Sequence, residues 1–138
     1  MRSTPHKRVQ SLEKSWLAMT NDSRFIPFIQ LHEFEAYLLA DVSKFGVIFD
    51  HSQSGIAKLQ EIVDAVSTPE LVNDGSQKAP SKRIVNCFPA YAASKRTLGP
   101  LVAKLIGLET IRTKCPHFHE WLLQLEQLND SVPTGAAD

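Results

Sequence analysis

The sequence predicts an α-rich α/β domain, with roughly five or six helices and few strands. Two patterns carry that reading. Apolar residues recur at helical spacing in several separate stretches, and a single run, Phe25 to Leu31, is dense in aromatic and β-branched residues. Composition agrees, since 43% hydrophobic and 22% charged residues is the balance of a chain that folds around a core. At 138 residues the chain has room for one domain, expected over 1–138 with flexible tails at 1–6 and 131–138.

The elements follow in order. Val9, Leu12, Trp16 and Met19 place one apolar stripe on a helix from Lys7 to Met19, stopped by Thr20-Asn21-Asp22-Ser23. Phe25-Ile26-Pro27-Phe28-Ile29-Gln30-Leu31 is the best strand, with Pro27 confining that residue to a strand start, an edge or a bulge. His32-Glu33-Phe34-Glu35 leads into a helix-like Ala36-Tyr37-Leu38-Leu39. Ser54-Gly55 opens a helix whose stripe is Ile56, Leu59, Ile62, Val63 and Val66, ended by Ser67-Thr68-Pro69. Asn73-Asp74-Gly75 is a turn, Pro80 starts a short helix, and Gly99-Pro100 opens another carrying Leu101, Val102, Leu105 and Ile106. The last helix starts near Pro116, with Phe118, Trp121, Leu122, Leu125 and Leu128 on its core face. One strand cannot satisfy its own backbone, so either Val47-Ile48-Phe49 pairs with it or its sheet neighbours lie outside this chain. The second case leaves an open edge and predicts self-association.

Charge and cysteine usage narrow the function classes. Fifteen Lys and Arg balance fifteen Asp and Glu, which speaks against a strongly basic nucleic-acid coat. Cys87 and Cys115 lie far apart, so no disulfide scaffold is expected and a cytoplasmic location suits the chain. The longest apolar runs are too short to cross a membrane, and residues 1–10 lack a signal-peptide core. No Walker loop, G-x-G-x-x-G or G-x-S-x-G pattern occurs.

Three polar clusters carry the candidate chemistry. Glu33 and Glu35 point to one side if the backbone there is extended, and could then hold a hard cation such as Mg²⁺. If the segment is helical they diverge, and Glu35 is simply an acid in a helix first turn. Lys78, Ser81, Lys82 and Arg83 surround a helix start and form a candidate phosphate or nucleic-acid contact, with Lys95-Arg96 as a second basic pair. Cys115-Pro116-His117-Phe118-His119 has no second ligand pair at zinc spacing and reads as structural.

Taken together, a series of blocks resembles the bacterial domain-of-unknown-function family 4276. They are Phe25 to Leu39, Pro69 to Gly75, Ala79 to Ile84, Phe88-Pro89-Ala90-Tyr91, Lys95, Gly99, Ile106-Gly107-Leu108, Ile111-Arg112 and Cys115 to Phe118 with Trp121. The resemblance spans about residues 24–125 and implies a Toprim-like nuclease domain, similar to those of overcoming-lysogenization-defect proteins. It implies Mg²⁺ ligation by Glu33 and Glu35, and a site lysine at Lys95 or Lys82, with Lys95 favoured. The early glutamate and the Asp-x-Asp of such domains have no counterpart here. The chain therefore resembles the C-terminal portion of a metal-dependent nuclease of bacterial defence or DNA processing, inactive alone. The alternative is a non-catalytic subunit that binds nucleic acid or a protein partner, such as an ATPase or a second copy.

Overall fold

The computed structural model describes residues 3–73 and 78–130. Among them are eight α-helices: α1 Pro5–Thr20, α2 Glu35–Leu38, α3 Phe45–Ile48, α4 Gln53–Asp64, α5 Pro80–Cys87, α6 Tyr91–Ile106, α7 Leu108–Lys114 and α8 Pro116–Asp130. Two 3₁₀ turns, Val42–Lys44 and Pro69–Leu71, complete the regular structure. No strand or sheet occurs among the described residues, so the expected α/β class, with its partial Toprim-like sheet, gives way to an all-helical architecture. The proposed strand partner Val47-Ile48-Phe49 is the end of α3 and its cap. With no strand, the open edge that predicted self-association is gone as well. The turn expected at Asp74-Gly75 and the tail at 131–138 lie outside the described residues.

The chain divides into two compact units, Met1–Ile29 with His117–Asp138, and Gln30–Pro116. In the first, α1 begins where Thr4 caps the Lys7 amide and Pro5 occupies the first turn. It ends at Asn21 in the left-handed conformation. The run Phe25–Ile29 is a connector here, and the reason is visible residue by residue. The Ile29 amide, which a strand would give to a neighbour, donates to Glu13 Oε1 at 2.8 Å. Phe28 stacks on Trp121 at 4.6 Å and on His117 at 5.3 Å, while Phe25 meets Trp16 edge-on. The aromatic density that reads as a strand is packing against helices, since β-propensity largely measures a half-buried, well-packed setting. The same Glu13 oxygen lies 2.9 Å from His117 Nε2 and so joins α1 to α8.

The second unit has its core in Leu38, Leu39, Phe45, Leu59, Ile84, Tyr91 and Val102, all essentially buried. Phe88 stacks on both Phe45 (5.3 Å) and Phe49 (4.9 Å). Helix α6 opens at Tyr91, eight residues before the expected start at Gly99. Its backbone departs from helical geometry at Ser94 (φ −127°, ψ 18°), and Pro100 sits inside it. Pro100 has no N–H for the carbonyl of Arg96. Gly107, at φ 85°, ends α6 and starts α7 in a single residue, a corner that only glycine enters cheaply. Thr68 closes the unit by donating its hydroxyl to the Lys114 carbonyl at 2.9 Å.

Two glycine substitutions separate two kinds of strain. A Cβ on Gly55 would lie 2.7 Å from Phe88 Cζ and 3.1 Å from the Cys87 carbonyl, and the stacked Phe88 ring has no room to retreat. Gly55→Ala is expected to cost about 1–3 kcal/mol by overpacking. Gly107→Ala meets no atom within 4 Å and costs a similar amount through its backbone alone. Urea unfolding checks both. A Gly55→Ala midpoint equal to wild type would contradict the packing at Phe88.

Candidate functional site: the Glu33, Glu35 and Lys95 cluster

The candidate site lies within the second unit, where three short segments meet. His32 has a left-handed backbone (φ 63°) and its Nδ1 lies 2.8 Å from the Asn73 side-chain amide. That bend directs the chain into Phe34, which is already helical, and then into α2 with Glu35 in its first turn. The backbone between the pair, at Phe34, is thus helical rather than extended, and the carboxylates take separate partners. Glu33 Oε2 accepts the Ser81 backbone N–H at 2.9 Å, at the start of α5. Glu35 is buried, and its Oε1 lies 3.5 Å from the Tyr91 hydroxyl and 3.6 Å from Lys95 Nζ.

Helix α6 supplies the facing wall. Tyr91, Lys95 and Gly99 recur every four residues and therefore share one face. Gly99 keeps that face open: a Cβ there would lie 3.2 Å from the Tyr91 hydroxyl and 3.4 Å from Phe34. Burial raises the Tyr91 phenol well above its ordinary range, and the charges of Glu35 and then Glu33 push the same way. Tyr91 is thus a neutral donor at any ordinary pH, aimed at Glu35. Lys95 is about half exposed, so its attraction to Glu35 is screened and contributes little to stability.

The structure brings Glu33, Glu35, Lys95 and the Ser81 amide to one place. It does not bring the other basic candidates there as pairs with those acids. Lys82 and Arg96 are exposed. Lys78 and Arg83 line a separate hollow, with Arg83 Nε donating to the Lys78 carbonyl at 3.4 Å. The N–H of Ser81, read from sequence as part of an anion site, is already taken by Glu33. The residue that sequence reasoning missed is Tyr91, and the four-residue spacing Tyr91, Lys95, Gly99 was the signal that could have found it.

Glu33 and Glu35 are hard oxygen donors of the kind Mg²⁺ takes, but two carboxylates leave most of its coordination shell to other groups. Among the described residues no group of three or more His, Cys, Asp and Glu is placed to hold a metal ion. Among the same residues no helix is long and apolar enough to cross a membrane. Cys115, fully buried, has its thiol pushed up to about 12, first by burial and then by the Glu70 charge, so it is no nucleophile near neutral pH. His117, two residues on in sequence, pairs with Glu13 in the first unit.

A small chain, all-helical among the described residues, with a buried carboxylate set between a tyrosine, a lysine and a helix start is the class that fold and site define. The chain belongs to the family described as Domain of unknown function (DUF4276), which matches residues 2–126. No curated protein and no solved structure matches it.

Two measurements test this geometry. Glu33→Ala leaves the Ser81 amide without its acceptor and is expected to destabilise the protein by about 1–3 kcal/mol, with Glu33→Gln recovering part of the loss. A urea midpoint unchanged in Glu33→Ala would remove the helix-start bond. The second is alkaline stability. Below about pH 9 the Cys115 thiol is protonated in both states, and folding gains nothing from it. Above pH 9 the unfolded chain releases that proton while the folded thiol holds it to about 12, so stability falls as pH rises, by about 1.4 kcal/mol per pH unit from this group. The buried Tyr37 and Tyr91, both raised by burial first, act in the same direction. Denaturant melts between about pH 8 and 11 are expected to show the decline, and a flat profile would contradict the burial of all three groups.

Proposed function

We propose that this chain supplies an acidic half-site, Glu33 and Glu35 with Lys95, to a metal-dependent nuclease-type protein of bacterial defence or DNA processing in the cytoplasm. On this reading the isolated chain does not cleave. The observation that carries it is the convergence of Glu35, Lys95 and Tyr91, with Glu33 at the adjoining helix start. Glu35, with the Glu33 oxygen that the Ser81 amide leaves free, would hold Mg²⁺, and the ion would supply charge neutralisation at a phosphodiester. Tyr91 orients the Glu35 carboxylate by its hydroxyl. Lys95 sets the charge of the site: one ammonium beside Glu35 lowers the cluster's affinity for a cation and offers a contact to a phosphate oxygen. The remaining ligands would come from residues beyond those described or from another chain.

A second reading is favoured by the lack of a third acid at the cluster among the described residues. In it the chain is a non-catalytic subunit for nucleic acid or for a protein partner such as an ATPase or a second copy. Exposed Lys82 and Arg96 would make salt-sensitive phosphate contacts.

Calorimetric titration with Mn²⁺, beside plasmid-nicking and single-strand cleavage assays in Mg²⁺ and Mn²⁺, tests the two readings. Wild type is expected to bind Mn²⁺ weakly, at about 1 mM, and Glu35→Gln to lose that binding. Lys95→Met is expected to strengthen it several-fold, because the competing ammonium is gone. Cleavage by wild type that disappears in Glu35→Gln would show a complete site in this chain and overturn the half-site. Mn²⁺ binding indifferent to Glu35 and Lys95 would leave the interaction subunit as the better reading.

A further inference from the structure

Between α4, the segment 69–73 and the start of α5 lies a hollow of about 370 Å³, the size of small-molecule sites. Its wall is apolar, formed by Ile62, Val66, Leu71 and Val72. The first three are only half-buried, so the hollow leaves aliphatic surface in contact with water. Two cations border it, Lys78 and Arg83. Arg83 Nε donates to the backbone carbonyl of residue 78 at 3.4 Å, which sets its guanidinium beside that residue. No carboxylate is bonded to either among the described residues, in contrast to Arg24 with Asp22 and Lys95 with Glu35. Glu61 also lines the hollow and gives it a negative side chain opposite in sign to that pair.

We propose that this hollow binds a small phosphate monoester carrying an apolar body, such as a nucleoside monophosphate or the 5′-phosphorylated end of a nucleic-acid strand. Each part of the wall selects one part of that ligand. Two positive side chains match a dianion better than a carboxylate, and a guanidinium makes paired bonds to phosphate oxygens. The aliphatic wall rewards a flat apolar group and gives inorganic phosphate nothing. Glu61 repels the phosphate and accepts from an exocyclic amine, so it fixes which way round the ligand lies. The site is separate from the carboxylate cluster and does not depend on Glu33 or Glu35 holding a metal.

Calorimetry and amide chemical-shift titration of the full chain test it, with phenyl phosphate, AMP, inorganic phosphate and a tetrathymidylate with or without a 5′ phosphate as probes. Phenyl phosphate and AMP are expected to bind, and inorganic phosphate about tenfold more weakly or not at all. The 5′-phosphorylated tetranucleotide binding above its 5′-hydroxyl counterpart would assign a strand end, and equal weakness of both beside tight AMP would assign a free nucleotide. Arg83→Gln and Val66→Glu are each expected to lose about tenfold or more. Lys58→Gln, on an exposed side chain of α4 that does not line the hollow, is expected to leave binding unchanged. An unshifted melting temperature in each variant confirms folding. Loss of binding in Lys58→Gln equal to that in Arg83→Gln would reduce the effect to a general basic surface and overturn the proposal. So would inorganic phosphate binding as well as phenyl phosphate, or no probe binding at millimolar concentration.

Discussion

A described chain without a sheet has to find partners for the amide groups that helices leave over, and here side chains provide them. Thr4 caps Lys7, Asp41 caps Ser43, Thr68 caps Glu70, Glu13 takes the Ile29 amide, and Glu33 takes that of Ser81. Each bond ties a connector to a helix, and an unmade bond at a buried amide costs about 1–3 kcal/mol. The two glutamate bonds reach furthest along the chain, across sixteen and forty-eight residues. They hold together segments that no ladder joins. This is why the candidate site cannot be separated from the fold: Glu33, proposed above as a cation ligand, is also the acceptor that starts α5.

The helices were legible because their signals are local. The stripe Val9, Leu12, Trp16, Met19 gave α1, and Pro80 and Pro116 marked the first turns of α5 and α8. The errors were also local in origin. Phe25 to Leu31 has strand composition, but a single sequence does not say whether an aromatic run will face a neighbouring strand or a helix; Phe28 faces Trp121 and His117. Gly99-Pro100 resembles a helix start, yet α6 runs through it from Tyr91 with its irregular residue at Ser94. Helix α7 is only seven residues long and was not expected; Gly107 both ends α6 and starts it.

At the site, the sequence named two acids and a cation that the structure brings together, but not the partners they take there. Glu33 and Glu35 were weighed both as a pair on one side of an extended segment and as diverging acids of a helix start, and a left-handed His32 with a helical Phe34 sends them to different partners. Tyr91 was named in a family block but not as a site residue, because a tyrosine in an apolar block looks like core. It is core, fully buried, with its one polar atom at the buried carboxylate. Side chains of that kind, half packing and half chemistry, are hard to see from residue type alone.

The placement of the aromatic residues has an optical consequence. Both tryptophans, Trp16 and Trp121, belong to the first unit and sit against other rings there, Phe25 and Phe28. Both tyrosines, Tyr37 and Tyr91, belong to the second and are buried. Indole emission therefore reports on one unit and phenol absorbance on the other, so the native chain carries two intrinsic probes, and whether its halves melt in one step or two can be read without a label.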